Sequence, residues 1–353
     1  MGYFLMSVVL VLLSLLSSPS YSLVLALTTL VGVGDALVQA SLFPLAAAIS
    51  PTLSASLLLG QGLAGLLVSF LKVTCKLSFK PTNAGTYAES RLYFGLGALL
   101  IVACLATLRH IQRRGLVKPL VISIEMSPPG ETLSPRATLA SLVSLYKTIL
   151  LHTALPTGVL FLTFLITLSL FPGITSQIPP PPNLPPSWFP VLISVTFNVG
   201  DWFGRGIVSY LLSTPTSLLS RLLLPTVSQH HPLPSSDSPP PVPLPAAAAI
   251  TALNVLLNTR FLTILSLLRL AFIPLFLLLV NGAITSPTLV YLTTFLFAVT
   301  NGVLVTLSFV IGPQMIAGVE GKERVNGVLL MALVAGLATG SSVGAGLAAL
   351  END

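Results

Sequence analysis

Apolar residues along this chain come in long unbroken runs, not in the alternation of a half-buried strand. Nine segments stand out, at roughly 3–17, 22–49, 53–74, 91–109, 148–172, 188–213, 261–281, 288–312 and 326–350. A helix needs about 20 apolar residues to cross the hydrocarbon layer of a bilayer, and most of these runs approach or exceed that. Backbone in lipid must satisfy its own hydrogen bonds, so spanning segments are helices or strands of a closed barrel. Runs of this length without period-2 alternation predict helices. The expected fold class is therefore all-α: a polytopic membrane protein with about nine transmembrane helices. The first segment is short for a span. "MGYFLMSVVLVLLSLLSSPSYS" also resembles the apolar core of a signal peptide with a small-residue exit, but it lacks the basic start. Met6 stands where a myristoylation signal needs Ser or Thr.

Composition supports the membrane reading. Of 353 residues, 54% are hydrophobic and 7% charged, whereas soluble domains carry about 25% charged residues. The net charge of +6 lies mainly between the apolar runs, where it orients a chain in the bilayer. With the 110–147 connection placed in the cytoplasm and the spans alternating, the inside collects Arg109, Arg113, Arg114, Lys118, Arg136, Lys147, Arg221, Arg260, Lys322 and Arg324. The outside collects Lys72, Lys76, Lys80 and Arg91, so the balance follows the positive-inside rule although the Lys72–Lys80 cluster opposes it. No basic stripe with interleaved aromatics marks a nucleic-acid surface. Cys75 and Cys104 sit in separate apolar segments and read as free thiols. His230 and His231 stand in a Pro/Ser stretch with no further ligand near in sequence, so neither a metal nor a cofactor is expected.

The connections divide the chain into a four-span N-terminal bundle over 1–109, a cytoplasmic loop over 110–147 and a five-span C-terminal bundle over 148–353. The 110–147 loop and the Pro/Ser-rich 214–250 loop, with "PLPSSDSPPPVPLP", have little to bury and are expected to be extended or disordered. "IPPPPNLPPS" at 178–187 is a short stiff connection.

Polar residues inside the spans carry the candidate chemistry, because an ionisable group at mid-membrane costs from about 2.5 kcal/mol upward. "FNVGDWFGR" at 197–205 places Asp201 and Arg205 four residues apart on one helix face, with Asn198 joining that face and Trp202 and Phe203 pointing elsewhere. One reading is a structural ion pair that locks helices together. The other is a polar face lining a substrate path, where a carboxylate accepts from sugar hydroxyls and a guanidinium donates to them. "GVGDALVQASLF" at 32–43 holds Asp35 and Gln39. The Gln39 amide suits the edge of a heterocyclic base or a helix–helix hydrogen bond, and Asp35 reads as structural or proton-sensitive. "GQGLAGLLVS" at 60–69 and "GLATGSSVGAG" at 336–346 are small-residue stripes that read as helix packing. In "RLAFIP" at 269–274, Arg269 is expected to snorkel or to pair at the inner side, with Pro274 kinking the helix. Asn301, in "FAVTNGVLVTLSFVIGP" at 297–313, either lines a path or bridges helices.

Taken in order, these stretches resemble the equilibrative nucleoside transporters. "FNVGDWFGR" is similar to the signature of that family's eighth span, "GDALVQASLF" to its fourth and "GQGLAG" to its fifth. "RLAFIP", "FAVTNGVLVTL" and "NGVLLMALVAGLATGSS" are similar to its ninth, tenth and eleventh. The resemblance covers nearly the whole chain, and by it the family's first two spans are expected to be absent. It implies a bundle in two halves of the major facilitator kind and facilitated movement of nucleosides, and of nucleobases in some members, by alternating access. It also implies residence in the plasma membrane or a vacuolar or lysosomal membrane. By position, Gln39 would contact the base, Asp201 and Arg205 the ribose, Asn198 would support that face, and Asn301 is a further candidate. The implied partners are a small-molecule nucleoside and the lipid bilayer; proton coupling is left open.

Two other readings compete. The missing spans allow a non-transporting truncated paralogue or assembly subunit. The intramembrane acids Asp35 and Asp201 tempt a protease reading, but Asp201 has Arg205 as counter-ion, whereas a catalytic dyad shares one proton between two acids.

Overall fold

The computed structural model describes residues 1–16, 20–80, 82–114, 135–213, 259–316 and 318–350, and among them there is no strand. The described residues form eleven α-helices in succession: α1 (Gly2–Leu15), α2 (Tyr21–Ile49), α3 (Pro51–Ser78), α4 (Asn83–Arg113), α5 (Pro135–His152), α6 (Ala154–Leu170), α7 (Phe189–Ser213), α8 (Thr259–Leu268), α9 (Phe272–Val280), α10 (Pro287–Ile311) and α11 (Val319–Leu350). Among the described residues seven helical stretches are long and apolar enough to cross a membrane. The molecule is a polytopic membrane bundle. Two of the nine expected spans fall outside that set. The α1 helix has only 14 residues, and the apolar character of α7 is diluted by Asn198, Asp201 and Arg205. The α8 and α9 helices form one span, Phe261–Val280, interrupted by a 3-10 turn at Arg269–Ala271.

The expected loop at 110–147 is helical at both ends: α4 continues to Arg113 and α5 begins at Pro135. Leu139, Leu142 and Leu145 recur at helical spacing ahead of Ile149, and that period extends the helix back into the stretch read as loop. The rest of that loop, the 214–250 loop, Lys118, Arg221, His230 and His231 lie outside the described residues.

Helix starts follow local chemistry. Ser50 is an extended residue that ends α2 and caps α3, its hydroxyl accepting from the Leu53 N–H at 3.1 Å, with Pro51 at the first helical position. Thr82 caps α4 in the same way, accepting from the Gly85 N–H. Between α10 and α11 the chain turns through Gly318 at φ 84°, a conformation that favours glycine.

The packing is built on small residues. A Cβ at Gly336, Gly340 or Gly344 of α11 would stand 2.6–2.7 Å from the carbonyl oxygens of Phe161, Leu165 and Leu168 on α6. The stripe read as packing thus seats one helix on another's backbone, as small residues do in membranes. Gly200 and Gly204 of α7 face the Phe295 and Val299 carbonyls of α10, and Gly302 of α10 faces the Asp201 backbone in return. These reciprocal glycines make α7 and α10 one closely apposed pair. The α10 helix is the most enclosed of the apolar helices. Its own Phe297 packs with Phe276, Phe189 and Phe197 about its first half, with Phe171 stacked on Phe197 at 4.2 Å between ring centroids. Phe43 meets Phe309 toward its other end, among Leu58, Leu160, Val325 and Leu329. The α3 helix packs along α7 and against α10, and α2 packs against α11.

Candidate functional site

Apposition of α7 and α10 decides where the polar side chains meet. The Asp201 carboxylate accepts at both oxygens: Oδ2 from Arg205 Nε at 2.7 Å and Oδ1 from Asn301 Nδ2 at 2.7 Å. Arg205 extends the group to α3, where its Nη1 donates to the Leu58 carbonyl at 3.2 Å and to Gln61 Oε1 at 3.1 Å. Gly62 makes room for it, since a Cβ there would stand 2.8 Å from Arg205 Cδ. An arginine carries five N–H donors, and the two on Arg205 Nη2 have no partner among the described residues. Asp201 and Arg205 are each 6% exposed, so their present partners are protein groups and not solvent. A buried pair of this kind is held by geometry and by completed hydrogen bonds more than by net Coulomb gain.

On the far side of Asp201 the group continues inward. Thr167 Oγ1 of α6 donates to Asn301 Oδ1 at 2.8 Å, and Arg269 Nη2 donates to Thr167 Oγ1 at 2.8 Å. Arg269 Nη1 reaches the Phe297 carbonyl and the Thr300 hydroxyl, and its guanidinium lies 4.3 Å from the centroid of the Phe297 ring. Arg269 is thus fully buried, which corrects the expectation that it snorkels or pairs at the inner side. The break in the helix at Arg269–Ala271 places its stem against α10, where neutral acceptors are at hand.

Asn198 lies on the same face of α7, one turn nearer its start. Its Nδ2 donates to Ser69 Oγ of α3 at 2.7 Å and to the Ser194 carbonyl at 3.0 Å. Beside Ser69 and Ser194, α3, α4 and α7 line an open pocket of about 410 Å³, bordered also by Lys72, Tyr93, Phe94 and Pro190. Lys72 there pairs with Glu89 of α4.

Of the residues singled out in the sequence, the structure joins Asp201, Arg205 and Asn301 directly and sets Asn198 on the adjoining turn. Gln39 is not joined to them. It stays on α2 and donates to Asp35 Oδ2 at 2.6 Å, its i−4 neighbour. Phe203 points outward at 50% exposure, as the face assignment required. Nothing in the sequence singles out Gln61, because its stretch reads as glycine packing. Thr167 was invisible because a threonine in an apolar run is indistinguishable from Thr306, which bonds only its own helix.

A many-spanned helical bundle with a charged and amide-bearing layer buried across several helices is the construction of a membrane transporter. The model of one family, described as "Nucleoside transporter", matches residues 25–224 and 248–346. The chain belongs to the nucleoside transporter family, whose members are transporters and not enzymes. It is 25% identical to "Equilibrative nucleotide transporter 1" of Arabidopsis thaliana over 90% of its own length and 62% of that relative's. It is 26% identical to "Equilibrative nucleoside transporter 2" of Homo sapiens over 92% of its length and 71% of the human protein's. The mouse protein of the same name is 30% identical over 52% of this chain. The chain therefore spans about two thirds of the length of the relatives it matches over most of its length.

Proposed function

We propose that this protein moves nucleosides across a membrane down their concentration gradient, using Asp201 and Arg205 to bind the ribose. The observation that carries the reading is the Asp201–Arg205 pair. Its carboxylate oxygens have lone pairs beyond those used by Arg205 and Asn301, and the two Arg205 Nη2 donors have no partner among the described residues. A ribose diol offers both donors and acceptors and matches that set. Asn198 and Asn301 hold the face from either side, and Gln39 is assigned to the base, brought to it by a swing of α2 toward α7.

Such a swing is supported by how the N-terminal helices meet the C-terminal ones. Among the described residues the side-chain hydrogen bonds across that boundary are few: Arg205 to Leu58 and Gln61, Asn198 to Ser69, Ser209 to Ala55, and Asn326 to Phe43. Rocking of two such halves about a mid-membrane site gives alternating access, and the same arrangement serves a plasma membrane or a vacuolar or lysosomal one. Reconstituted in liposomes, the protein is expected to take up labelled uridine or adenosine saturably until inside and outside concentrations match. Uptake beyond equality under an imposed pH gradient indicates proton coupling; no saturable uptake of any nucleoside or nucleobase overturns the reading and favours the non-transporting paralogue.

Gln61→Ala is expected to raise the KM for uptake by about fivefold. One hydrogen bond to the guanidinium is lost while Arg205 keeps Asp201 and the Leu58 carbonyl. The concentration dependence of uptake at matched abundance checks this, and an unchanged KM excludes Gln61 from the site.

A further inference from the structure

Asn301 carries an amide whose two ends have opposite chemistry, and only one orientation suits Asp201. A carboxylate accepts and does not donate, so the amide must present Nδ2 to Asp201 and turn Oδ1 toward α6. There it meets Thr167 Oγ1, which has one hydrogen to give and two acceptors in reach: Asn301 Oδ1 at 2.8 Å and the Thr163 carbonyl of its own helix at 2.6 Å. Left alone, a helix-interior threonine gives its hydrogen to the i−4 carbonyl, as Thr163 does to Val159. Arg269 Nη2 approaches the Thr167 oxygen from a third direction and donates to it. That guanidinium is fixed on its other arm by the Phe297 carbonyl, Thr300 and the Phe297 ring. Two separate buried elements therefore hold the Thr167 oxygen in place beside Asn301.

We propose that Arg269 is a positioning residue for the Asp201 carboxylate and acts through Thr167 and Asn301. Arg269 donates to the Thr167 oxygen, Thr167 donates to Asn301, and Asn301 donates to Asp201, which Arg205 meets from the opposite side. Donors converge on one carboxylate from two helices, and each bond in such a chain polarises the next. The chain fixes which lone pairs of Asp201 remain for a ribose hydroxyl. This rests on the nucleoside-transport reading of the same site and adds to it a residue that touches no substrate.

The decisive variant is Thr167→Val, which keeps shape and leaves the Arg269 bonds to α10 intact. It is expected to raise the KM for uridine uptake by about tenfold at unchanged membrane abundance, the size of one charge-coupled hydrogen bond. Thr167→Ser, which restores the hydroxyl, is expected to return KM to within about twofold of the wild type. Arg269→Gln should shift KM in the same direction, and the double variant should be no worse than the more severe single one. If Arg269 only fastens α8 and α9 to α10, Thr167→Val keeps the wild-type KM and Arg269→Gln lowers abundance alone; that result overturns the proposal. Where Arg269→Gln fails to reach the membrane, Thr167→Val and Thr167→Ser decide. A wild-type protein that moves no nucleoside overturns the functional reading instead. The relay is then read without substrate, as non-additive melting shifts of Thr167→Val and Asp201→Asn, and additive shifts overturn it.

Discussion

Asp201→Asn is expected to cut nucleoside uptake by at least about 100-fold, and Arg205→Gln to match it. Each single change leaves one buried group without its partner. Removing one member of a buried ion pair costs about 3–5 kcal/mol, because an uncompensated charge or an unfilled acceptor remains in the interior. With both partners only 6% exposed, water has little access to the missing place. Abundance and melting temperature should therefore fall along with uptake. The double variant separates the two effects. Asp201→Asn with Arg205→Gln removes both charges, so stability is expected to recover toward the wild type while uptake stays lost. Uptake at matched abundance, paired with melting temperature in detergent, reads both. A double variant that transports like the wild type would remove the ion pair from substrate binding and leave it a structural clasp.

Gly302→Ala is expected to reduce both stability and uptake sharply, although it adds one methyl group far from any exposed surface. The new Cβ would run into the Asp201 carbonyl oxygen and the Arg205 backbone nitrogen, neither of which can step aside without moving α7 as a whole. Inserting a methyl into a well-packed interior costs about 1–3 kcal/mol, and more where the obstacle is backbone. Displacing α7 also stretches the 2.7 Å bond between Asn301 and Asp201, so transport should fall further than abundance. Gly327→Ala is the internal control. It lies on α11 with nothing within 4 Å of the new Cβ, and exchanging glycine for alanine in a helix interior is favourable by roughly 0.5–1 kcal/mol. Thermal denaturation of the two variants side by side checks the contrast. A Gly302→Ala protein as stable as the wild type would mean that α7 and α10 do not meet at that distance.

Helices, and the tight seams among them, were legible because lipid leaves the backbone few choices. Long apolar runs and glycines at helical spacing report directly on spans and on close backbone approach. The Asp201–Arg205 pair was legible for the same reason: charge in a greasy helix demands a partner, and a partner at i+4 is the cheapest. What could not be read was the third dimension of the polar layer. Nothing in the spacing of Thr167, Asn301 and Arg269 says that three separate helices bring them within hydrogen-bond reach, because a lone threonine or asparagine in a span has many local ways to satisfy itself. Arg269 was misread because its neighbours in sequence are all apolar; its acceptors come from residues 28 to 102 positions away. Gln39 shows the opposite limit. Its amide fits a base edge by chemistry, yet in this structure it turns to Asp35 on its own helix.

The boundary between α2–α3 and the later helices ends largely on main-chain oxygens. Arg205 addresses the carbonyl of Leu58, Ser209 that of Ala55 and Asn326 that of Phe43. A carbonyl is present whatever side chain is attached, so these three acceptors survive any substitution that leaves the helices in register. Side-chain changes at 43, 55 and 58 that keep their buried packing thus leave the donors their addresses. The two sides of that boundary therefore stay fastened through sequence change that keeps the helices in register.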